Sequence, residues 1–167
     1  MDGEELRRRY AAGQRDFSNL NLREVNLSGI APELDAGAYD ELCPELAADL
    51  SEINLSGANL RRAILAGANL TNANLSYANL TNANLAYCNL TNTNLSNAIL
   101  IRACLDCVEF DNTNLRGANL YLAEICQTCF KADATGATNL TTVNFGGTQV
   151  RGLVLDDGTV LDSDHDW

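Results

Sequence analysis

The sequence predicts an all-β solenoid whose first coil is closed by a short N-terminal capping α-helix. Three observations carry the prediction. Leu55, Leu60, Leu65, Leu70, Leu75, Leu80, Leu85, Leu90, Leu95, Leu100, Leu105, Phe110, Leu115 and Leu120 recur at every fifth place. Two residues before most of them stands a small side chain, as at Ala58, Ala63, Ala68, Ala73, Ala78 and Ala83. The frame continues through Ile125, Phe130, Leu140, Phe145, Val150 and Leu155, with Thr135 its weakest member. Neither the helical nor the strand period keeps two positions five apart on one face for so long. The period is therefore that of a repeat whose units bury their apolar sides only by stacking on their neighbours.

The run "ANLTNANLSYANLTNANL" at residues 68–85 shows the unit most plainly, and it resembles the pentapeptide repeat family, whose pattern is A-(N/D)-L-x-x. The match covers about residues 48–155, with a shorter patch at 15–29. The resemblance implies a right-handed quadrilateral β-helix with four pentapeptides per coil, the Leu or Phe centre and the small residue both pointing inward. The residues agree with that: alternating large and small inward side chains fill a narrow tube without voids. With twenty residues per coil, Leu60, Leu80, Leu100, Leu120 and Leu140 stack on one face, and Phe110 and Phe130 on another. Asn54, Asn74, Asn94 and Asn114 form an outward column whose amides bond one another and the corner backbone, which makes them architectural. The N-L-S and N-L-T triplets are a by-product of the repeat and are not read as glycosylation acceptors.

A stack of strands has two ends that must be covered against polymerisation. Residues 1–13, "MDGEELRRRYAAG", read as the cover: Asp2 and Glu5 make a capping-box pattern, Arg7 to Arg9 complement the helix dipole, and Gly13 stops the helix. Leu6 and Tyr10 share one face, placed to seal the first coil. The first repeats occupy 14–29, where Phe17, Leu22 and Leu27 keep the period. Leu27 to Leu50 is 23 residues, so an acidic insertion loop lies between, at 30–47, with five acids and no base. The main repeat stack fills 48–155, and 156–167 form a C-terminal turn and tail in which Asp157-Gly158 signals a hairpin. The whole chain, 1–167, reads as a single domain.

Function is far less legible. A formal charge of -11 argues against direct nucleic-acid binding and against an anionic membrane, since both need a basic footprint. No apolar run suits a signal peptide or a membrane span, which predicts a cytoplasmic protein, or a lumenal or periplasmic one if a signal was removed. His165 is the only histidine, so no nucleophile–histidine pair is available and no enzyme activity or cofactor is expected. Cys104, Cys107, Cys126 and Cys129 spell C-x2-C-x18-C-x2-C, but the coil geometry sets Cys104 and Cys129 on successive walls, so no metal site is predicted. Cys107 and Cys126 fall near one corner of adjacent coils as a candidate disulfide, and Cys88 stands in for an inward Ala.

Two regions are candidate partner surfaces: Tyr39, Asp40, Glu41 and Leu42 of the insertion, and the outward Ile99, Ile101, Tyr121 and Leu122, where polar residues are ordinary. The reading is a monomeric, non-catalytic scaffold that binds an unidentified protein partner. The alternative follows from the resemblance: quinolone-resistance members of the family look like duplex DNA in shape and charge and bind DNA gyrase. Against that stands the charge map, because residues 51–130 hold only five acids against four arginines.

Overall fold

The computed structural model describes residues 1–28, 48–126, 129–130, 132–138, 140, 143–144, 149–154 and 160–163. Parallel bridges recur at every fifth residue of the coils and join each to the residue twenty further on: Asp49 to Asn69, Asn54 to Asn74, Asn59 to Asn79, Ile64 to Asn84, and so onward. The pattern is that of a β-helix. The residue at each bridge donates its N–H to the preceding coil, and the leucine after it donates to the following one, as in Asn79 N to Ala58 O (2.9 Å) and Leu80 N to Ile99 O (2.8 Å). Backbone polar groups are thus paired between coils, which frees the interior for apolar side chains.

That interior holds Leu50, Leu55, Leu60, Leu65 and their successors to Leu120, with Phe17 and Phe110 as its largest members, all buried. Alanine fills most of the second inward positions, and Cys88, Thr93 and Thr113 fill three of the others. The two threonines satisfy their hydroxyls by donating to Leu70 O (2.7 Å) and Leu90 O (2.8 Å). A polar group is tolerated there because the carbonyl of the adjacent coil lies within reach.

Where it is Asn or Asp, the outward residue before the centre closes the turn. Asn69 Oδ1 accepts the Thr71 N–H (3.1 Å) and Asn94 Oδ1 that of Ser96 (3.1 Å), a local bond that Asn is suited to make. The amides also climb from coil to coil: Asn114 Nδ2 donates to Asn94 Oδ1 (3.2 Å), and Asn94 Nδ2 to Asn74 Oδ1 (3.4 Å). In the first coil the column begins at Asp16, which accepts from both Ser18 N (3.0 Å) and Asn54 Nδ2 (3.1 Å). With no coil beneath to receive an amide donor, a carboxylate suffices, and these bonds hold the Asp16 carboxyl below its usual range.

Between the first coil and the rest the pairing steps by 38, as in Asp16 to Asn54, Asn21 to Asn59 and Asn26 to Ile64. The surplus of 18 over a regular coil is taken up between Asn26 and Asp49, where the sequence places the insertion; residues 29–47 lie outside the described residues, Tyr39 to Leu42 included.

The frame is not unbroken, and here the sequence expectation needs correction. β1 (Thr113–Asn114) pairs with β3 (Ala132–Asp133) at a step of 19, and Asn119 pairs with Thr138, again 19 on; Glu124 to Asn144 restores 20. Ala134, not Thr135, therefore takes the buried centre; Leu120 N donates to Thr138 O, while Leu140 packs against the core and accepts the Val143 N–H (3.2 Å) as Leu120 accepts that of Ala123 (2.9 Å), so it resumes the expected place. Turn chemistry decides this. Asp133 Oδ1 accepts from Thr135 N (3.0 Å) and Oγ1 (2.7 Å), and Gly136 takes the left-handed second place of the turn (φ 72°), so D-A-T-G is the unit. β2 (Cys129–Phe130) pairs with β4 (Gln149–Val154), and β4 pairs antiparallel with β5 (Val160–Ser163); residues 155–159, the Asp157-Gly158 step among them, lie outside the described residues.

The helix α1 (Gly3–Ala11) lies at the foot of the coils. Asp2 caps it by accepting the Glu5 N–H (2.8 Å), but the reciprocal half of the capping box is absent: Glu5 pairs instead with Arg8 (2.6 Å). Leu6 is fully buried, Tyr10 OH donates to Ser51 O (2.7 Å) and Arg7 Nη1 to Asn26 O (3.0 Å). Gly3 lies so close to the main chain of Asn26 that any Cβ there would collide with its carbonyl oxygen. Among the described residues no helix is long and apolar enough to cross a membrane.

Candidate interaction surface

The corner that follows Leu60, Leu80, Leu100 and Leu120 carries three of the outward apolar residues named from the sequence. Its residue pairs are Arg61-Arg62, Thr81-Asn82, Ile101-Arg102 and Tyr121-Leu122, stacked through Arg62 N to Thr81 O (3.0 Å), Asn82 N to Ile101 O (2.9 Å) and Arg102 N to Tyr121 O (2.9 Å). Below them Glu24 N donates to Arg61 O (2.9 Å), which places Arg23-Glu24 at the foot of the same column. Main-chain pairing therefore brings Ile101, Tyr121 and Leu122 together, and Ile99 stands on the adjoining wall. Ile99, Tyr121 and Leu122 are 36%, 43% and 39% exposed, and Ile101 is half-buried.

One of these residues works against the fold. Ile99 bridges Asn79 and Asn119 in a column where an asparagine would continue the amide ladder, and an isoleucine cannot. Leu122 sits at φ 54° in the left-handed region, as the second residue of this corner does in each coil (Arg62 57°, Asn82 55°, Arg102 54°), so its backbone is ordinary here and only its exposed apolar side chain is unusual. Residues that break a local rule without a gain for the fold mark functional places.

Sequence reading missed the arginines of this corner. Arg23, Arg61, Arg62 and Arg102, four of the chain's eleven basic residues, all stand here. Glu24 pairs with Arg23 (3.3 Å) and Arg62 (3.5 Å), exposed contacts worth little in water. Among the described residues no carboxylate lies within ion-pair reach of Arg61 or Arg102. The usable signal was spacing in the coil frame: Arg62 and Arg102 lie two coils apart, and Arg23 precedes Arg61 by the insertion-lengthened step of 38.

The cysteines sit on a different side. Cys107 and Cys126 are in adjacent coils, linked by Cys107 N to Cys126 O (3.0 Å), and both are thiols in the structure. Cys104 and Glu124 replace asparagine in the column Asn84, Cys104, Glu124, Asn144. Asp106 lies beside them, its Oδ1 accepting from Cys126 N (2.9 Å) and its Oδ2 facing Cys104 Sγ (3.6 Å). Burial, and then the charges of Asp106 and Glu124, push the Cys104 thiol up to about 11. Among the described residues, the ligand atoms of Cys104, Asp106 and Glu124 lie within 4.8 Å of one another, so these three could approach a cation. Cys88 is buried inside the helix, donates to Leu65 O (3.1 Å) and is pushed up to about 12 by burial. Neither Cys88 nor Cys104 has thiolate character, so neither is poised as a nucleophile. His165 and the Cys129 side chain lie outside the described residues.

The family model for pentapeptide repeats matches in eight copies, at residues 48–85, 78–117 and 100–131, which together span half of the chain. No curated protein matches. Among solved structures, the chain is similar to a pentapeptide repeat protein from Nostoc PCC 7120, with 24% identity over 90% of this chain and 96% of that one, and a TM-score of 0.37. It is also similar to HetL, a pentapeptide repeat protein involved in heterocyst differentiation regulation in the same cyanobacterium (23% identity, 96% and 100% covered, TM-score 0.27). A third likeness is to QnrB1, a plasmid-mediated fluoroquinolone resistance protein (16% identity, 81% and 83% covered, TM-score 0.28).

Proposed function

The chain belongs to the pentapeptide repeat family, and from that premise we propose that it is a non-catalytic scaffold that binds another protein through the corner built by Ile99, Ile101, Tyr121 and Leu122. The observation that carries the reading is the cluster of outward apolar side chains on one corner, with Ile99, Tyr121 and Leu122 exposed and Ile101 half-buried. Exposed apolar groups on a rigid wall are what a partner can bury at little cost in ordering. The proposal includes a right-handed, four-sided helix, supported by the four bridge positions in each coil of twenty, and one domain in which 30–47 are inserted. The insertion, with Tyr39, Asp40, Glu41 and Leu42, is a second contact region on grounds of composition alone.

The test is capture of partners from the source cell by the intact protein, by Ile101→Asp/Tyr121→Asp, and by a form lacking 31–47. A specific partner that is lost on the double substitution supports the corner. Retention of every captured protein by the double variant overturns it, and loss only on deletion moves the site to the insertion. The overall charge of -11 favours one other reading, an acidic mimic of DNA that binds gyrase or another topoisomerase. The arginine-bearing corner and the near-neutral coils weigh against it, and an excess of the protein that leaves gyrase supercoiling unchanged removes it.

A further inference from the structure

Resting on the scaffold reading, we propose that this corner receives an extended peptide segment of a partner protein, with carboxylates at one end and aliphatic or aromatic side chains at the other. Charge and apolar character are separated along the column. The foot carries Arg23, Arg61 and Arg62 with Glu24 the one acid among them, the middle Ile101-Arg102, and the top Tyr121-Leu122. Arg61 and Arg102 stand without a described carboxylate in reach, in a chain with twice as many acids as bases, 22 against 11. A positive strip on an otherwise negative body selects acidic groups by position, and its like charge rejects Lys- and Arg-rich partners. The apolar top supplies the area that four partly screened arginines alone would lack.

Dimensions agree with a peptide. Arg23, Arg61, Thr81, Ile101 and Tyr121 occupy five consecutive levels, and at the strand spacing of about 4.8 Å they span about 19 Å, the length of about six extended residues. Nucleic acid fits poorly: it is held by many phosphate contacts over a broad basic surface, whereas this strip is one corner wide and ends in apolar side chains.

The probe is a fluorescein-labelled six-residue peptide of three acidic residues followed by Leu-Phe-Leu, read by anisotropy against the intact protein. Its comparators are an all-acidic peptide, a peptide with lysines in place of the acids, and a short DNA duplex. The acidic–apolar peptide should bind at least tenfold more tightly than each comparator, and more weakly as salt rises. Arg61→Glu/Arg102→Glu should weaken it tenfold or more, and Tyr121→Ala should also weaken it. Arg116→Gln, at another corner, should leave it unchanged. All are exposed positions, and circular dichroism is to check that each variant keeps the coil.

Failure of the acidic–apolar peptide to bind, equal binding of the lysine peptide or the duplex, or insensitivity to Arg61→Glu/Arg102→Glu overturns the inference. If the peptide fails while Ile101→Asp/Tyr121→Asp still loses a captured partner, the partner's chemistry is wrong and the scaffold reading stands. If the corner substitutions alter neither experiment, both fall.

Discussion

Leu80→Ala probes the physical basis of the fold. Leu80 is fully buried, in the coil between those that carry Leu60 and Leu100 on the same wall. Removing three carbons forfeits about 0.8 kcal/mol each, about 2.4 kcal/mol in transfer free energy. What the cavity adds depends on how far its surroundings collapse. Here they are pinned: Leu80 N bonds Ile99 O (2.8 Å), Asn79 N bonds Ala58 O (2.9 Å) and Ala83 N bonds Leu80 O (2.9 Å). The wall cannot move inward without breaking pairs to two coils, so the loss should fall in the upper part of the usual range, about 4 kcal/mol. Guanidinium unfolding followed by far-ultraviolet circular dichroism measures it, with Leu80→Met as a volume-conserving control that should lose under about 1.5 kcal/mol. Coils need not unfold together, so hydrogen exchange at Asn79 and Leu100 accompanies it. A loss below about 2 kcal/mol for the alanine variant would refute the reasoning, since even the transfer cost would then be missing.

Other predictions concern the cap, the corner and pH. Gly3→Ala should lift α1 from the first coil, because the new Cβ meets main chain and not a yielding side chain; a loss of about 1–3 kcal/mol and faster exchange at Leu6 and Leu27 are expected. Ile99→Asn should stabilise the protein by about 1 kcal/mol by restoring an amide ladder between Asn79 and Asn119, while weakening partner capture; a stability gain with binding intact would separate the residue from function. Cys88 keeps its proton to about 12 when folded, against an ordinary 9.0, so above pH 9 the unfolded chain releases a proton that the folded one holds. Stability from this thiol is therefore fully present below that pH and declines by at most about 1.4 kcal/mol per pH unit as pH rises toward 12. Cys88→Ala should flatten that part of an alkaline unfolding profile, and an unchanged slope would show the thiol to be solvated.

Much of the interior was legible because a local rule wrote it. Leucine and alanine at fixed places in a five-residue unit name their own inward positions, and Asn before the centre names the turn, without knowledge of what lies in the next coil. The slip at Ala134 was also written locally, in D-A-T-G-A, but an apolar frame favoured Thr135 and hid it. Ile99, Ile101, Tyr121 and Leu122 could be named as outward because the frame assigns every position a side.

What each side chain meets across the coils was not in the repeat. Arg23 joins the column of Arg61 only because the chain between them spends 18 residues outside the regular step, and Cys104 meets Asp106 and Glu124 because stacking sets residue 104 beneath 124. The sequence alone determined which way each residue faces, since that follows from backbone geometry within one repeat. Only the tertiary structure decided which outward residues become neighbours, because that depends on the length of each coil, and main-chain pairing between coils sets that length at 19, 20 or 38 residues.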